Sequence, residues 1–347
     1  MLFGLVITTR PAFDPAAPEH RGAVLIRTRA FSCNYRDKAL MLMAAGRDAP
    51  TSFYVIGSEF AGAVVAVGDE VERFAVGDRV MSDPFYDPGR GQAPQKGLDG
   101  LPSNHGSREY QIIRQEKVIK MPDGMPDAVG GAFSIGAQTT YSMIRKLGVE
   151  AGSNVLVTAA RSNTSLFAIN ALKKYEVRVF ALTTSTHFDE QFRALGVQEV
   201  IPVPPEVFCM ENDEGRRALA AQLSRVADPI GGFNYVIDPF YNLYMEAAIS
   251  ALAFEGKYVS CGVRVYGNEP RNGALARVME RVMQRNVHII GNCLGTRQDL
   301  CKALEDYTSG CLDVVLDSTF QGPDVASFVD RTYNARDRFG KVLYLYD

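Results

Sequence analysis

From Asn154 onward the chain alternates short apolar runs with segments of helical period, and that rhythm limits the fold more than any other feature. The first run, Val155-Leu156-Val157, leads to an amphipathic stretch from Leu166 to Lys174. Val177 to Leu182 reads as a second strand and Phe188 to Leu195 as a helix; Val200 to Val203 is a third strand, followed by a helix from Glu214 to Val226. Phe233 to Ile237, a helix around Leu243 to Leu252, the strand Gly256 to Ser260 and a sixth strand, Val287 to Gly291, complete the series. Strands separated by helices return to their sheet by right-handed crossovers. This region is therefore expected to be α/β, a doubly wound parallel sheet with helices on both faces.

The turn after the first strand reads Thr158-Ala159-Ala160-Arg161-Ser162-Asn163-Thr164-Ser165. Its layout, strand to turn to helix, is that of a dinucleotide-binding βα turn, but the glycines of that fingerprint are missing. Glycine serves there for the tight turn, for close approach of the pyrophosphate and for helix–strand packing. A helix N-terminus still offers free N–H groups and a positive dipole end whatever the side chains are. Ser162, Asn163, Thr164 and Ser165 add hydroxyl and amide donors, and Arg161 adds charge. Asn163 is the residue expected to take a positive φ, which Asn tolerates better than most. The second strand ends in Thr183-Thr184-Ser185-Thr186-His187, with no acid before Asp189. A ribose 2′-hydroxyl is usually bound by an acid here. Thr184, Ser185 and His187 suit a 2′-phosphate better, so NADP(H) is expected over NAD; the other reading is a plain hydrophilic loop. Side chains at glycine places also allow that the pyrophosphate seat is filled and no dinucleotide binds.

The first third of the chain is β-rich. Ala23 to Ala30 alternates as a strand, Gly62 to Gly68 is rich in Val, and Val76-Gly77-Asp78-Arg79-Val80 sets a turn before another strand. Residues 82–107 are rich in Gly, Pro and Asp and read as a long loop over a binding site, with Tyr86 and His105 within reach of a substrate. Glu109 to Ile119 returns to strand. The net charge of −3 gives no electrostatic case for nucleic acid or an anionic membrane. No apolar run is long enough for a membrane span, and the N-terminal segment does not read as a signal peptide. The six cysteines are scattered without a C-x-x-C pair, which points to reduced thiols and a cytoplasmic protein.

Several phrases carry a resemblance: Asn34-Tyr35-Arg36-Asp37, Gly57-Ser58-Glu59-Phe60-Ala61-Gly62, Arg73-Phe74-Ala75-Val76-Gly77-Asp78-Arg79-Val80, Thr139-Thr140-Tyr141 and Gly340-Lys341-Val342. Together they resemble the medium-chain dehydrogenase/reductase superfamily, in its zinc-free quinone-oxidoreductase-like and alcohol-dehydrogenase-like branch. The resemblance covers essentially the whole chain. It implies a GroES-like catalytic domain formed by residues 1–127 and 296–347, a Rossmann domain formed by 128–295, and an active-site cleft between them.

Zinc members of the superfamily place ligands where this chain has Asn34, Ser58 and, near the third position, Ala137. Amide, hydroxyl and methyl groups are poor zinc ligands beside thiolate and imidazole, so no metal is expected; Cys33, one residue away, reads as a small buried hydrophobe. The resemblance implies an enzyme that reduces an activated C=C or C=O bond of a small molecule by hydride transfer from NADP(H). A protein donor would stabilise the developing oxyanion. Tyr35 and Asn34 are the candidates, with Asp37 beside them; alternatively Tyr35-Arg36-Asp37 merely caps the next helix.

Further residues follow from the same likeness. Thr139 would approach the nicotinamide carboxamide, or else N-cap the helix toward Leu147. Gly262 and Val263, after the fifth strand, and Asn292 and Leu294, after the sixth, would line the cofactor. Lys341 would lie near the cofactor or be solvated. A scaffold that had lost the dinucleotide would instead be a non-redox isomerase, lyase or cyclase. The sixth strand, as an exposed edge, is expected to form a C2 homodimer.

Overall fold

The structure is a computed structural model that describes residues 4–45, 55–85, 106–204, 207, 213–262 and 272–347. In chain order the elements begin with β1 (Ala23–Ser32), α1 (Tyr35–Ala45), β2 (Glu59–Val67), β3 (Arg79–Ser82), β4 (Tyr110–Arg114), β5 (Val118–Lys120) and α2 (Asp127–Leu147). Next come β6 (Asn154–Val157), α3 (Asn163–Leu172), β7 (Arg178–Thr183), α4 (Asp189–Ala194), β8 (Val197–Pro202), α5 (Asp213–Ala227), β9 (Phe233–Asp238), α6 (Tyr241–Ser250) and β10 (Leu252–Ser260). The last are α7 (Asn272–Arg285), β11 (His288–Gly291), α8 (Arg297–Thr308), β12 (Leu316–Gln321), α9 (Val325–Tyr333) and β13 (Lys341–Leu345). The chain divides into two compact units, Met1–Gln138 with Thr296–Leu304 and Val314–Asp347, and Thr139–Gly295 with Glu305–Asp313.

The first unit holds a sheet in the order β12-β13-β1-β2-β3-β5, with β4 also paired to β1. Its pairs are antiparallel except β12 with β13. Val24, Ile26, Phe31, Phe60, Val64, Phe328 and Tyr344 fill its core, where the rings of Phe31 and Phe328 meet edge to face at 5.3 Å. Cys33 is buried in the same cluster, as expected of a small hydrophobe. The single strand expected from Glu109 to Ile119 is two. A 3-10 turn at Gln115–Lys117 separates β4, which pairs with β1, from β5, which pairs with β3. One straight strand cannot serve both partners.

In the second unit every strand pair is parallel, in the order β11-β10-β9-β6-β7-β8. This is the doubly wound dinucleotide-binding order. The chain winds outward one way from β6 and then returns to wind outward the other way, so the switch point lies between β6 and β9. The apolar runs read from sequence are buried on both faces: Leu156, Phe180, Phe233, Val236, Ile249 and Tyr258 belong to one cluster. Among the described residues the edge strand β11 pairs only with β10, and Ile289 on it is exposed. The helix expected from Leu166 starts at Asn163 instead, because Ser162 caps it. Thr139 lies in the interior of α2, which excludes the N-cap reading of that residue. Among the described residues no helix is long and apolar enough to cross a membrane.

Candidate functional site

The second unit presents the βα turn. Thr158 N–H donates to the Ile237 carbonyl at 3.0 Å and Ala160 N–H to the Leu182 carbonyl at 2.9 Å, which ties the turn to β9 and β7. Between them Ala159 has φ +44°, the left-handed region that glycine normally fills. The expectation that Asn163 takes this conformation is corrected. The chain reverses just after β6, four residues before the helix begins, so the unusual dihedral falls on Ala159, and Asn163 is already helical.

Ser162 holds φ −70° and ψ 151°, and its Oγ accepts Ser165 N–H at 3.2 Å. Ser165 Oγ in turn donates to the Thr158 carbonyl at 2.7 Å. Ser165 is wholly buried between helix and strand, where the fingerprint has a packing glycine. The N–H groups of Asn163 and Thr164 have no intrahelical acceptor, as at any helix start. The Asn163 side-chain nitrogen is enclosed and also lacks an acceptor. An anion at this helix end satisfies donors of that kind, so the residues present fit a pyrophosphate.

Arg161 Nη2 donates to Thr184 Oγ1 at 3.1 Å, and its guanidinium stands 5.6 Å from the Phe188 ring centre. Ser185 follows, donating its N–H to Thr183 Oγ1 at 3.3 Å, and the exposed His187 donates its own N–H to Ser185 Oγ at 3.3 Å. The turn and the end of β7 are thus brought together by Arg161.

At the switch point Asp238 ends β9 and is wholly buried. It accepts hydrogen bonds from Thr158 Oγ1 at 2.7 Å, Tyr258 OH at 2.5 Å and Phe240 N–H at 2.8 Å. Burial pushes its carboxyl above the ordinary range, and burial with the neighbouring Asp238 pushes the Tyr258 phenol up as well. No motif in the sequence marks Asp238. The signal available was an acid at the carboxyl end of an apolar central strand.

Nearby, Cys261 is pushed up to about 12 by burial. A Cβ on Gly262 would meet the Pro239 carbonyl oxygen at 2.8 Å, so only glycine fits there. Asn292 accepts from Ser142 Oγ at 2.8 Å and donates to the Leu294 carbonyl at 2.8 Å, with Leu294 at φ +53°. Val263 lies outside the described residues, as do Tyr86 and His105 and most of the 82–107 loop.

The first unit carries a buried polar network around Asn34. Asn34 precedes α1, and Asp37, in the first turn, accepts the Asn34 N–H at 2.7 Å, so the capping reading of Asp37 holds. The Asn34 side chain is turned elsewhere. Its Nδ2 donates to Ser58 Oγ at 3.1 Å and Glu59 Oε1 at 3.0 Å, and its Oδ1 accepts from Lys341 Nζ at 2.7 Å. Ser58 Oγ donates to Asp37 at 2.6 Å. Burial raises the Asp37 carboxyl above its usual range against the pull of those hydrogen bonds.

Glu59 also accepts from Lys341 Nζ and Ser32 Oγ, and its second oxygen takes the Ile135 N–H at 2.9 Å. Lys341 is 2% exposed, which corrects the solvated reading of that residue. Gly340 makes this placement possible: it has φ +114°, and a Cβ there would stand 2.5 Å from the Val315 carbonyl oxygen. Tyr35 opens α1, half-buried, its ring 6.3 Å from Tyr333 and nearly perpendicular to it.

The Asn34 corner does not fit a catalytic metal. Asn34 turns a nitrogen donor toward Ser58, its oxygen faces an ammonium group, and Ala137 has no ligand atom. Among the described residues no group of three His, Cys, Asp or Glu is placed to hold a metal ion.

Comparison with known proteins agrees with this architecture. Residues 20–123 match the alcohol dehydrogenase GroES-like domain. A quinone oxidoreductase of Pseudomonas aeruginosa is 30% identical over 190 residues, which cover 54% of this chain and 52% of that one, so the match spans about half of the relative's length. The crystal structure of an NAD-dependent alcohol dehydrogenase superposes with a TM-score of 0.78 at 24% identity, covering 99% of this chain and 96% of that one. The 2-octenoyl-CoA carboxylase reductase CinF, solved with NADP and 2-octenoyl-CoA, superposes with a TM-score of 0.76 at 20% identity, covering 97% and 80%. The two structural likenesses concern the fold. The chain thus carries an alcohol dehydrogenase GroES-like domain together with a Rossmann-like parallel sheet, the combination of folds seen in those structures.

Proposed function

We propose that this protein is an NADP(H)-dependent oxidoreductase that reduces an activated C=C or C=O bond of a small molecule without a metal. The observation that carries the reading is the link from Arg161 to Thr184 at the start of α3. It places a guanidinium where the second strand of a dinucleotide fold meets the adenosine ribose, and no acid stands there to claim a 2′-hydroxyl. The first N–H groups of α3 and the Asn163 amide would hold the pyrophosphate, Ser165 packs the helix on its strand, and Thr184, Ser185 and His187 flank the 2′-phosphate. Thr139, Gly262, Val263, Asn292 and Leu294 would line the nicotinamide. The bound dinucleotide supplies the hydride.

In the first unit Tyr35 is the residue that would donate a hydrogen bond to the oxyanion developing on the substrate carbonyl. Asn34 has each of its amide atoms engaged with Ser58, Glu59 and Lys341, so it and Asp37 act by fixing the loop that carries Tyr35. Names of relatives agree with the reading: a quinone oxidoreductase in sequence, and in fold a reductase solved with NADP and an enoyl-CoA.

One observation favours the alternative, a non-redox isomerase, lyase or cyclase on the same scaffold: Ser162 Oγ already satisfies the Ser165 N–H. Calorimetric titration with NADPH and NADH separates the two. The reductase reading expects NADPH to bind well below millimolar and to raise the melting temperature. It fails if neither occurs. A homodimer joined across β11 is part of the same proposal, because an exposed edge strand of a parallel sheet is a ready partner for a second copy.

A further inference from the structure

The Asn34 corner contains a side-chain cation. Lys341 Nζ donates to Asn34 Oδ1 at 2.7 Å and to Glu59 Oε1, from a side chain 2% exposed. The group is held rigidly. Lys341 opens β13, paired to Leu316 of β12, directly after the conformationally locked Gly340. Both acceptors are oxygens, and both are fixed in turn: Asn34 by Ser58 and Glu59, Glu59 by Ser32 and by the Ile135 N–H of α2.

The corner is chemically suited to a cation that gives hydrogens. A metal takes lone pairs from its ligands, but Asn34 Nδ2 and the Ser32 hydroxyl point donors inward, and Asp37 is occupied by the Asn34 N–H and the Ser58 hydroxyl. An ammonium group meets the remaining oxygens with its own N–H bonds and brings a single charge opposite the carboxylate of Glu59. Removing the lysine side chain beyond Cβ would leave an oxygen-lined hole, with Glu59 bearing an unmatched charge.

We propose that Lys341 is a built-in ammonium cation standing in for a metal, a positioning residue that holds Asn34 and Glu59. We propose further that the hole left by its removal selects small primary ammonium ions over metal ions. The readouts below do not depend on the proposed reductase activity, so failure of one idea is distinguishable from failure of the other.

The test is chemical rescue of Lys341→Ala. The variant is expected to melt well below the wild type and to recover about half of the lost melting temperature, saturably, in methylammonium chloride. Tetramethylammonium, sodium, magnesium and zinc at matched ionic strength are expected to restore none of it. Lys341→Met, which fills the hole with an apolar chain, is expected to be indifferent to methylammonium. Equal recovery with tetramethylammonium, recovery with zinc or magnesium instead, or no recovery of a folded variant overturns the proposal.

Should Lys341→Ala not fold, trace acetylation of the native protein read by mass spectrometry decides. Lys341 is expected to react at least about tenfold more slowly than Lys120, whose side chain is 57% exposed. Glu59→Gln, which removes the countercharge, is expected to raise the Lys341 rate by about tenfold. A Lys341 rate equal to that of Lys120, or one unmoved by Glu59→Gln, overturns it equally.

Discussion

Ala159 carries a conformational penalty in plain view. Its φ of +44° places Cβ against its own carbonyl, at a cost of roughly 1–2 kcal/mol for a non-glycine residue. Ala159→Gly is expected to raise the melting temperature, since relief of that strain outweighs the greater freedom of glycine in the unfolded chain; no rise in a denaturation scan would mean the turn is unstrained. Glu59→Ala leaves a buried ammonium without its countercharge and is expected to cost about 3–5 kcal/mol, read from urea unfolding.

Asp37 gives a pH signature. Its folded value lies above the ordinary 3.8, because burial disfavours the charged carboxylate. The folded state thus holds the proton more tightly. This residue's contribution to stability is whole below the unfolded value and is lost as pH rises through the folded one. Asp37→Asn keeps an oxygen to accept from Ser58 and from the Asn34 N–H, and cannot ionise. Its melting temperature relative to wild type is expected to climb with pH across that window. A constant difference would show that Asp37 is not perturbed.

Elements turn these local choices into a scaffold. Helix α3 starts at Asn163 because Ser162 supplies the cap; Ser162→Ala is expected to destabilise by about 1 kcal/mol, and Ser162→Gly by only a few tenths. If both variants lose the same amount, the hydroxyl is not the cap. The three polar residues after Ser162 look like loop in sequence, since apolar periodicity begins only at Leu166. The cap, not the hydrophobic pattern, sets this boundary. Strand β11 is the edge of the parallel sheet, and Ile289 on it is 42% exposed. Ile289→Lys is expected to convert the proposed dimer to monomer in light scattering at micromolar concentration; a wild type that is already monomeric removes the dimer.

For the whole molecule, ligand-linked stability is the most direct reading. If NADP(H) binds the folded state alone, saturating NADPH at about a hundredfold over its dissociation constant is expected to stabilise by about 2.7 kcal/mol. Arg161→Gln is expected to reduce that shift for NADPH and leave NADH nearly unchanged, because the lost guanidinium meets only the 2′-phosphate. Equal losses for both cofactors would place Arg161 at the pyrophosphate instead.

Periodicity and residue type alone were enough for the parallel sheet, the place of the turn after β6 and the loss of its glycines. These are local properties: periodicity reports which face of an element is buried, and residue type reports what chemistry a position lacks. The tertiary structure alone decided which polar groups meet. Lys341 reaches Glu59 across 282 positions in the chain, and Asp238 meets Thr158 across 80. It also decided that Ala159 takes the left-handed turn in place of Asn163, and that the segment from Glu109 to Ile119 splits between two partners. Such outcomes depend on where distant strands are brought into register. A buried polar group must find its partner wherever the topology delivers one, and no local pattern records that meeting.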